Sequence, residues 1–320
     1  MTKVLLLGNG FTRAFYDSKP WDNLVDKIRD KEKFPLPATK YNMPTPIKIE
    51  MLANGRNYLE DTNFQLELSE LENKKNPRLL QKILDLNFDF VLTTNYTYEI
   101  ECAILGGIER FDIEEMKRRH RSSDRIDPTE QKSDNLLYSF NSVENRCNNP
   151  NNLQETINVW HIHGEGIFPQ NIVIGYDAYS RLLKSYIDYT SNNNATRNNG
   201  TNPNSWVDAF LSGDVYMLGF GMDFSEIDLW WLLQYKAKNH PEAKTVYFNP
   251  KPVNIQSCEH CNKDHVAGKG DWCKIEMLKI YGTEIKNIMF DAEYSNKYND
   301  FYEQAYQLMR TDLERQQIRR

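Results

Sequence analysis

No apolar run in the chain approaches the roughly 20 residues that a membrane-spanning helix needs. The first apolar stretch, Val4 to Leu7, stops at Gly8 and is too short for a secretory leader. The expectation is therefore a cytoplasmic protein with no membrane association. Cysteine is sparse and odd in number, five in 320 residues, which excludes a disulfide framework and suits a reducing compartment. Positive charge is also short, with 39 Lys and Arg against 45 Asp and Glu and a net charge of -6. Direct nucleic-acid binding is not expected, because phosphate contacts need a basic field. One local basic cluster, Arg118, Arg119, His120, Arg121 and Arg125, reads as a solvated helix face.

What is present is 40% apolar residues, enough for a substantial core, in short strands alternating with helical patterns. Strands are expected near 3–8, 88–93, 158–163, 171–175, 215–219, 244–249 and 284–290, with helical and loop insertions over 31–85, 103–155 and 190–206. This alternation predicts a single α/β domain over 1–320, a doubly wound, mostly parallel Rossmann-like sheet. In such sheets ligands bind outside the carboxyl ends of the strands.

Four strands run into polar or glycine residues at that edge. The first runs into Gly8-Asn9-Gly10-Phe11-Thr12-Arg13, where glycines permit a sharp turn and a close ligand approach. Arg13 stands where the dinucleotide fingerprint G-x-G-x-x-G has its third glycine, which disfavours an ordinary dehydrogenase site. The second, Phe88 to Leu92, stops at Thr93-Thr94-Asn95-Tyr96-Thr97, which by itself also fits a hydroxyl-rich turn capping the next helix. The third places Val159, His161 and His163 on one face by alternation, with His163 at the tip before Gly164. The fourth ends in Gly219-Phe220-Gly221, followed by Ser225-Glu226-Ile227-Asp228 in a capping-box pattern and by Ile227, Trp231 and Tyr235 on one helical face. A further strand stops at Asn249. Over 256–274, Cys258, Cys261, His265 and Cys273 have residue types and a first spacing that could hold structural zinc, with a polar loop the more expected reading.

Taken in order, these motifs resemble the sirtuin-type NAD-consuming domain, and within it the prokaryotic branch found in antiphage defence. Gly8 to Thr12 is similar to the family's phosphate loop, Pro20-Trp21 with Leu24 to its Pro-x-Trp-x-x-Leu helix, and His163-Gly164 to its catalytic His-Gly. Asn95 is retained from Thr-Gln-Asn-x-Asp, whereas Thr94 and Thr97 depart from it. Gly219-Phe220-Gly221 resembles the Gly-x-Ser turn without its serine, and Asn249 the asparagine beside the adenine-side ribose. The Gly-Asn-Gly-Phe start and the Asn-Tyr-Thr motif are also similar to the abortive-infection H proteins. The resemblance implies NAD+ as substrate, with Asn95 and His163 catalytic and Gly8, Asn9, Gly10, Phe11, Thr12, Arg13, Thr94, Thr97, Gly219, Phe220, Gly221 and Asn249 binding it. No cysteine lies between Cys147 and Cys258, so the paired C-x-x-C ribbon of the protein deacetylases is absent. That leaves NAD+ hydrolysis, in an abortive-infection effector that depletes the cell's NAD+, ahead of a non-catalytic nucleotide sensor or a protein deacylase or ADP-ribosyltransferase. A homo-oligomer, or a separately encoded sensor or ATPase, is the partner that the defence branch implies.

Overall fold

The computed structural model describes residues 2–16, 45–53, 78–107, 110–122, 135–145, 156–168, 171–192, 205–253, 267–291 and 297–318. Strand β1 (Lys3–Leu7) lies inside an eight-stranded sheet. It pairs in parallel with β2 (Phe90–Thr93) on one side and β6 (Asp214–Leu218) on the other. Val4, Leu5, Leu6 and Leu7 are all fully buried. That is why the strand reads as a continuous apolar run rather than an alternating one. Burying each such side chain contributes about 1.5–3 kcal/mol.

Outside β2 lies β5 (Thr156–His161), and outside β6 lie β7 (Thr245–Val253) and β8 (Thr283–Asp291), all parallel. The six parallel strands run β5-β2-β1-β6-β7-β8. Chain order therefore reverses direction at β1, as in Rossmann-like sheets. Registers Leu7↔Thr93, Thr93↔His161 and Leu7↔Leu218 bring four strand ends to one level.

Leu5 and Leu7 face one core with Phe11 of α1 (Asn9–Tyr16), α3 (Arg78–Leu84), α4 (Glu99–Leu105), α5 (Ile113–Arg119) and α11 (Lys297–Ile318). Val4 and Leu6 face the other with α7 (Gly175–Asn192), α8 (Trp206–Ser212), α9 (Ile227–Asn239) and Leu278 of α10 (Ala267–Ile280). Helix α2 (Thr45–Ala53) lies against α7. Among the described residues no helix is long and apolar enough to cross a membrane.

Two sequence expectations are corrected here. The segment 103–155, expected as an insertion, extends the sheet: β4 (Ser139–Glu144) pairs antiparallel with β5, and β3 (His120–Ser122) with β4. Short helix α6 (Asn135–Tyr138) precedes β4. The pattern Ser-Phe-Asn-Ser-Val-Glu hid β4 because its inward-facing Asn141 is polar. The segment expected as a strand over 171–175 is an irregular connector that runs into α7 at Gly175, tied down where Val173 N donates to the carbonyl of His163 at 2.7 Å. Helix α9 buries Leu229, Leu232, Leu233 and Lys236, whereas Ile227 is exposed. Trp231 and Tyr235, on the face marked by Ile227, pack partly buried against the same core.

Lys236 is a buried cation within this core, donating from Nζ to the carbonyls of Phe210 (3.0 Å), Gly213 (2.6 Å) and Lys244 (3.1 Å). Burial drags its ammonium down to about 7, against the opposing pull of Asp214 and Glu242. It ties α8, β6 and β7 together at the edge of the sheet opposite the strand tips.

Candidate functional site

Why glycines stand at 8 and 10 is answered by the neighbouring turn. A Cβ at Gly8 would sit 2.6 Å from the carbonyl oxygen of Gly219, and one at Gly10 2.7 Å from the same atom. Gly8 N donates to Leu218 O and Gly10 N to Gly219 O, each at 2.9 Å. The two amides are thus engaged by the turn after β6. Asn9 and Gly10 line a cavity above that junction, whereas Gly8 is packed behind it. Phe11 is wholly buried, its ring edge-on to Tyr302 at 4.8 Å. Thr12 and Arg13 lie in α1, with side chains outside the described set.

The turn after β2 divides its residues between two environments. Thr93 Oγ1 donates to Leu7 O at 3.0 Å and accepts from Asn95 N at 3.1 Å, closing the turn. Half-buried Thr94 and the ring of Tyr96 face open space, and Tyr96 Oη donates to Val173 O at 2.6 Å. Asn95 is buried, and its carbonyl accepts from His161 Nδ1 at 2.6 Å. Thr97 Oγ1 donates to Glu99 Oε2 at 2.6 Å, at the start of α4.

The two histidines expected on one face are separated, because β5 ends at His161 and the chain turns immediately afterwards. Gly164, at φ 88°, makes that turn possible, and a Cβ there would lie 2.2 Å from Asn171 O. His161 stays in the core, where Nε2 donates to Glu101 Oε1 at 2.8 Å. Both its ring nitrogens face acceptors, so both carry protons. Burial opposes that charge, but Glu101, Glu165 and the Asn95 carbonyl overcome it and raise the imidazole to about 9. Asn141 Nδ2 joins the cluster, donating to Glu101 Oε1 at 3.1 Å and Glu165 Oε2 at 2.8 Å.

His163 emerges on the other side of the turn. Its Nε2 donates to Asp228 Oδ2 at 2.8 Å, and its ring lies edge-on to Tyr179 at 5.4 Å. Burial lowers its pKa, yet the charge and hydrogen bond of Asp228, helped by Glu226, leave it above the ordinary value. With Nε2 committed, Nδ1 is the nitrogen left to meet a bound molecule.

Asp228 and Glu226 belong to the start of α9, and the capping-box reading of Ser225 to Asp228 is corrected. Glu226 is itself the N-cap and makes no side-chain cap bond. Asp228 is fully buried, taking His163 on Oδ2 with Tyr186 Oη at 3.5 Å, while its Oδ1 has no hydrogen-bond partner. Glu226 is half-buried, with Oε2 sealed from solvent and also without a partner. Burial drives its carboxyl up to about 7, with Asp228 and Asp223 adding to the rise and His163 and Lys274 opposing it.

Two cavities open along this edge. The larger, about 520 Å³, lies where the strand order reverses between β1 and β6, walled by Asn9, Gly10, Gly219, Phe220, Gly221 and the aromatic group Phe248, Tyr298, Phe301 and Tyr302. The smaller, about 220 Å³, is walled by His163, Tyr96, Tyr179, Asp223 and Ser225, with Pro46 of α2. Thr94 and Glu226 belong to both walls, so the cavities adjoin. Asn95 belongs to neither wall.

No protein-family model and no curated protein matches this chain.

The structure thus gathers Asn9, Gly10, Thr94, His163, Gly219, Phe220 and Gly221 around one cleft. Asn249 lies outside both walls, its Nδ2 donating to Asn287 Oδ1 at 2.8 Å. Cys258, Cys261 and His265 lie outside the described residues, and Cys273 is an exposed free thiol on α10. Among the described residues no group of three or more His, Cys, Asp or Glu side chains is placed to hold a metal ion. Glu226 and Asp228 are the site residues that sequence reasoning passed over. The available signal was two carboxylates five and seven residues after Gly221, at the start of the next helix, and the helix-capping explanation absorbed it. Chemically, the cleft offers a histidine oriented by a buried carboxylate, and a second carboxylate beside it with a pKa near neutrality. That is a constellation suited to moving a proton at a reacting bond.

Proposed function

We infer that this chain is an NAD+ glycohydrolase, cleaving NAD+ into nicotinamide and ADP-ribose on a doubly wound sheet. The observation that carries the reading is the shared wall: a cavity at the β1/β6 reversal adjoins, through Thr94 and Glu226, a smaller one walled by His163, which Asp228 holds from behind. A dinucleotide laid across a strand-order reversal is the usual ligand of such sheets, and the adjoining cavity would take the end where a bond is broken.

Charge supports the same polarity. Among the described residues the smaller cavity has Asp223 and Glu226 in its wall and no Lys or Arg, which favours the cationic nicotinamide ring of the oxidised cofactor over a neutral one. The aromatic wall of Phe248, Tyr298, Phe301 and Tyr302 suits a base that stacks. In this reading His163, held by Asp228, presents Nδ1 to the ribose beside the scissile bond. His161 locks the Asn95 turn from behind by holding its carbonyl. The ordered resemblance to sirtuin-type defence domains points the same way and suggests an abortive-infection effector, activated by self-assembly or by a separately encoded sensor or ATPase.

The test is to incubate the purified full chain with NAD+ and follow nicotinamide and ADP-ribose by chromatography, alongside His163→Ala and Asn95→Ala checked for folding by circular dichroism. The reading expects release by the parent and its loss in the His163 variant. Tight binding of NAD+ with no cleavage under any assembly state would instead favour a nucleotide sensor, and product formation only with an acylated peptide a deacylase.

A further inference from the structure

We propose that Glu226 is the base that takes the proton from the attacking water, an inference that rests on the glycohydrolase reading. Its position is the first argument. Glu226 belongs to the walls of both cavities, so it stands where a molecule spanning them would cross from one to the other.

Elimination among the neighbouring acids is the second. Asp228 is committed to His163 and Tyr186, and Asp223 Oδ1 accepts from Ser225 N at 2.8 Å. Glu101 and Glu165 are bound up with Asn141 and His161. Glu226, Asp228 and Glu101 each keep a sealed oxygen with no hydrogen-bond partner, and of these three only Glu226 lines the cavities.

The third argument is that the helix does not account for it. An N-cap side chain normally accepts from first-turn amides, and Glu226 makes no such bond. A buried carboxylate oxygen without a donor costs about 1–3 kcal/mol or more, a cost relieved when the carboxyl takes up a proton. The groups facing it are His163 after β5, Asp223 in the preceding turn, Asp228 on α9 and Lys274 on α10, and together with burial they set its carboxyl at about 7. A base poised there is half ready at neutral pH.

The step balances. As the bond between C1′ and the nicotinamide nitrogen breaks, its electron pair goes to that nitrogen and the ring leaves neutral. Water oxygen joins C1′, and one of its protons passes to Glu226 and then to solvent. The products are nicotinamide, ADP-ribose and one proton.

The experiment uses the full chain, E226Q and Glu226→Ala. E226Q should lose about 100-fold or more in kcat while binding ADP-ribose, measured by calorimetry, within about threefold of the parent. The parent's rate should climb as pH rises through about 7, a limb absent from E226Q, and added formate should restore turnover to the Glu226→Ala variant. A parent that cleaves NAD+ and an E226Q that keeps kcat within about threefold overturn the base assignment alone. Loss of ADP-ribose binding in both variants with no rescue by formate also overturns it, in favour of a structural role. A folded parent that releases no nicotinamide removes the glycohydrolase reading, and this inference falls with it.

Discussion

Replacing Asp228 with Asn separates what the buried carboxylate does for the fold from what it does for His163. The change keeps shape and can keep an acceptor within reach of Nε2, now 2.8 Å from Oδ2, but removes the charge. Two effects on stability oppose. The charge-assisted hydrogen bond to His163 is worth about 1.5–3 kcal/mol, and it weakens. Against that, a fully buried carboxylate with an unpartnered Oδ1 carries a desolvation cost of several kcal/mol, and that cost disappears. The net change is expected within about 2 kcal/mol of zero at neutral pH. The histidine shows the larger effect. Without Asp228, burial dominates and the imidazole falls below its present raised value. A group whose folded pKa is raised contributes stability that is fully present below the unfolded value, near 6.5, and lost as pH rises through the folded value. The parent's advantage over Asp228→Asn should therefore be greatest in acid and shrink on the alkaline side. Urea unfolding at a series of pH values measures this, and nitrogen-detected imidazole NMR follows His163 directly. Turnover should fall by about 10²–10⁴-fold, as when an orienting carboxylate is lost from behind a catalytic histidine. A His163 titration unmoved by the substitution, or a stability difference that does not vary with pH, would refute the electrostatic account.

Glu101→Gln should destabilise the chain by about 3–5 kcal/mol in chemical unfolding, most strongly below pH 6.5, with the deficit shrinking as pH passes about 9, where His161 loses its proton. Gly8→Ala should cost about 1–3 kcal/mol by thermal melting, because its Cβ meets the Gly219 carbonyl at 2.6 Å, whereas Gly221→Ala, with nothing within 4 Å, should melt with the parent. Lys236→Met should lose about 3 kcal/mol or more in urea, since three buried carbonyls lose their donor, without changing binding at the opposite edge. A loss under about 1 kcal/mol would mean that water or backbone shifts satisfy those groups.

The central parallel strands were legible because they are buried on both faces and so appear as uninterrupted apolar runs, as in Val4 to Leu7 and Val215 to Leu218. The edge residues followed, since a run that stops at Gly8 or Thr93 declares where the strand ends. β4 was not legible, because its buried Asn141 is satisfied by Glu101 and Glu165, residues distant in sequence. The segment 171–175 looked like a strand from Ile172 and Val173, both buried. Their burial comes from packing against the His163 turn rather than from pairing. The divergence of His161 from His163 depended on where β5 stopped, and alternation alone extends a strand without ending it. Glu226 was concealed for a different reason: a carboxylate at a helix start has an ordinary explanation, and only its missing cap bond and buried oxygen set that explanation aside.

The contact of Gly8 and Gly10 with Gly219 is made by main chain on main chain. The closest approach between the two loops at the bottom of the cleft is therefore set by atoms that every residue type shares. Thr94, Glu226, Tyr179 and Tyr298 stand above that junction on separate segments. Substitutions among them can change which molecule is held, and how fast it reacts, while the strands beneath keep their places. Variation in selectivity is thereby uncoupled from variation in architecture, and sequences diverging at the walls should retain the glycines below.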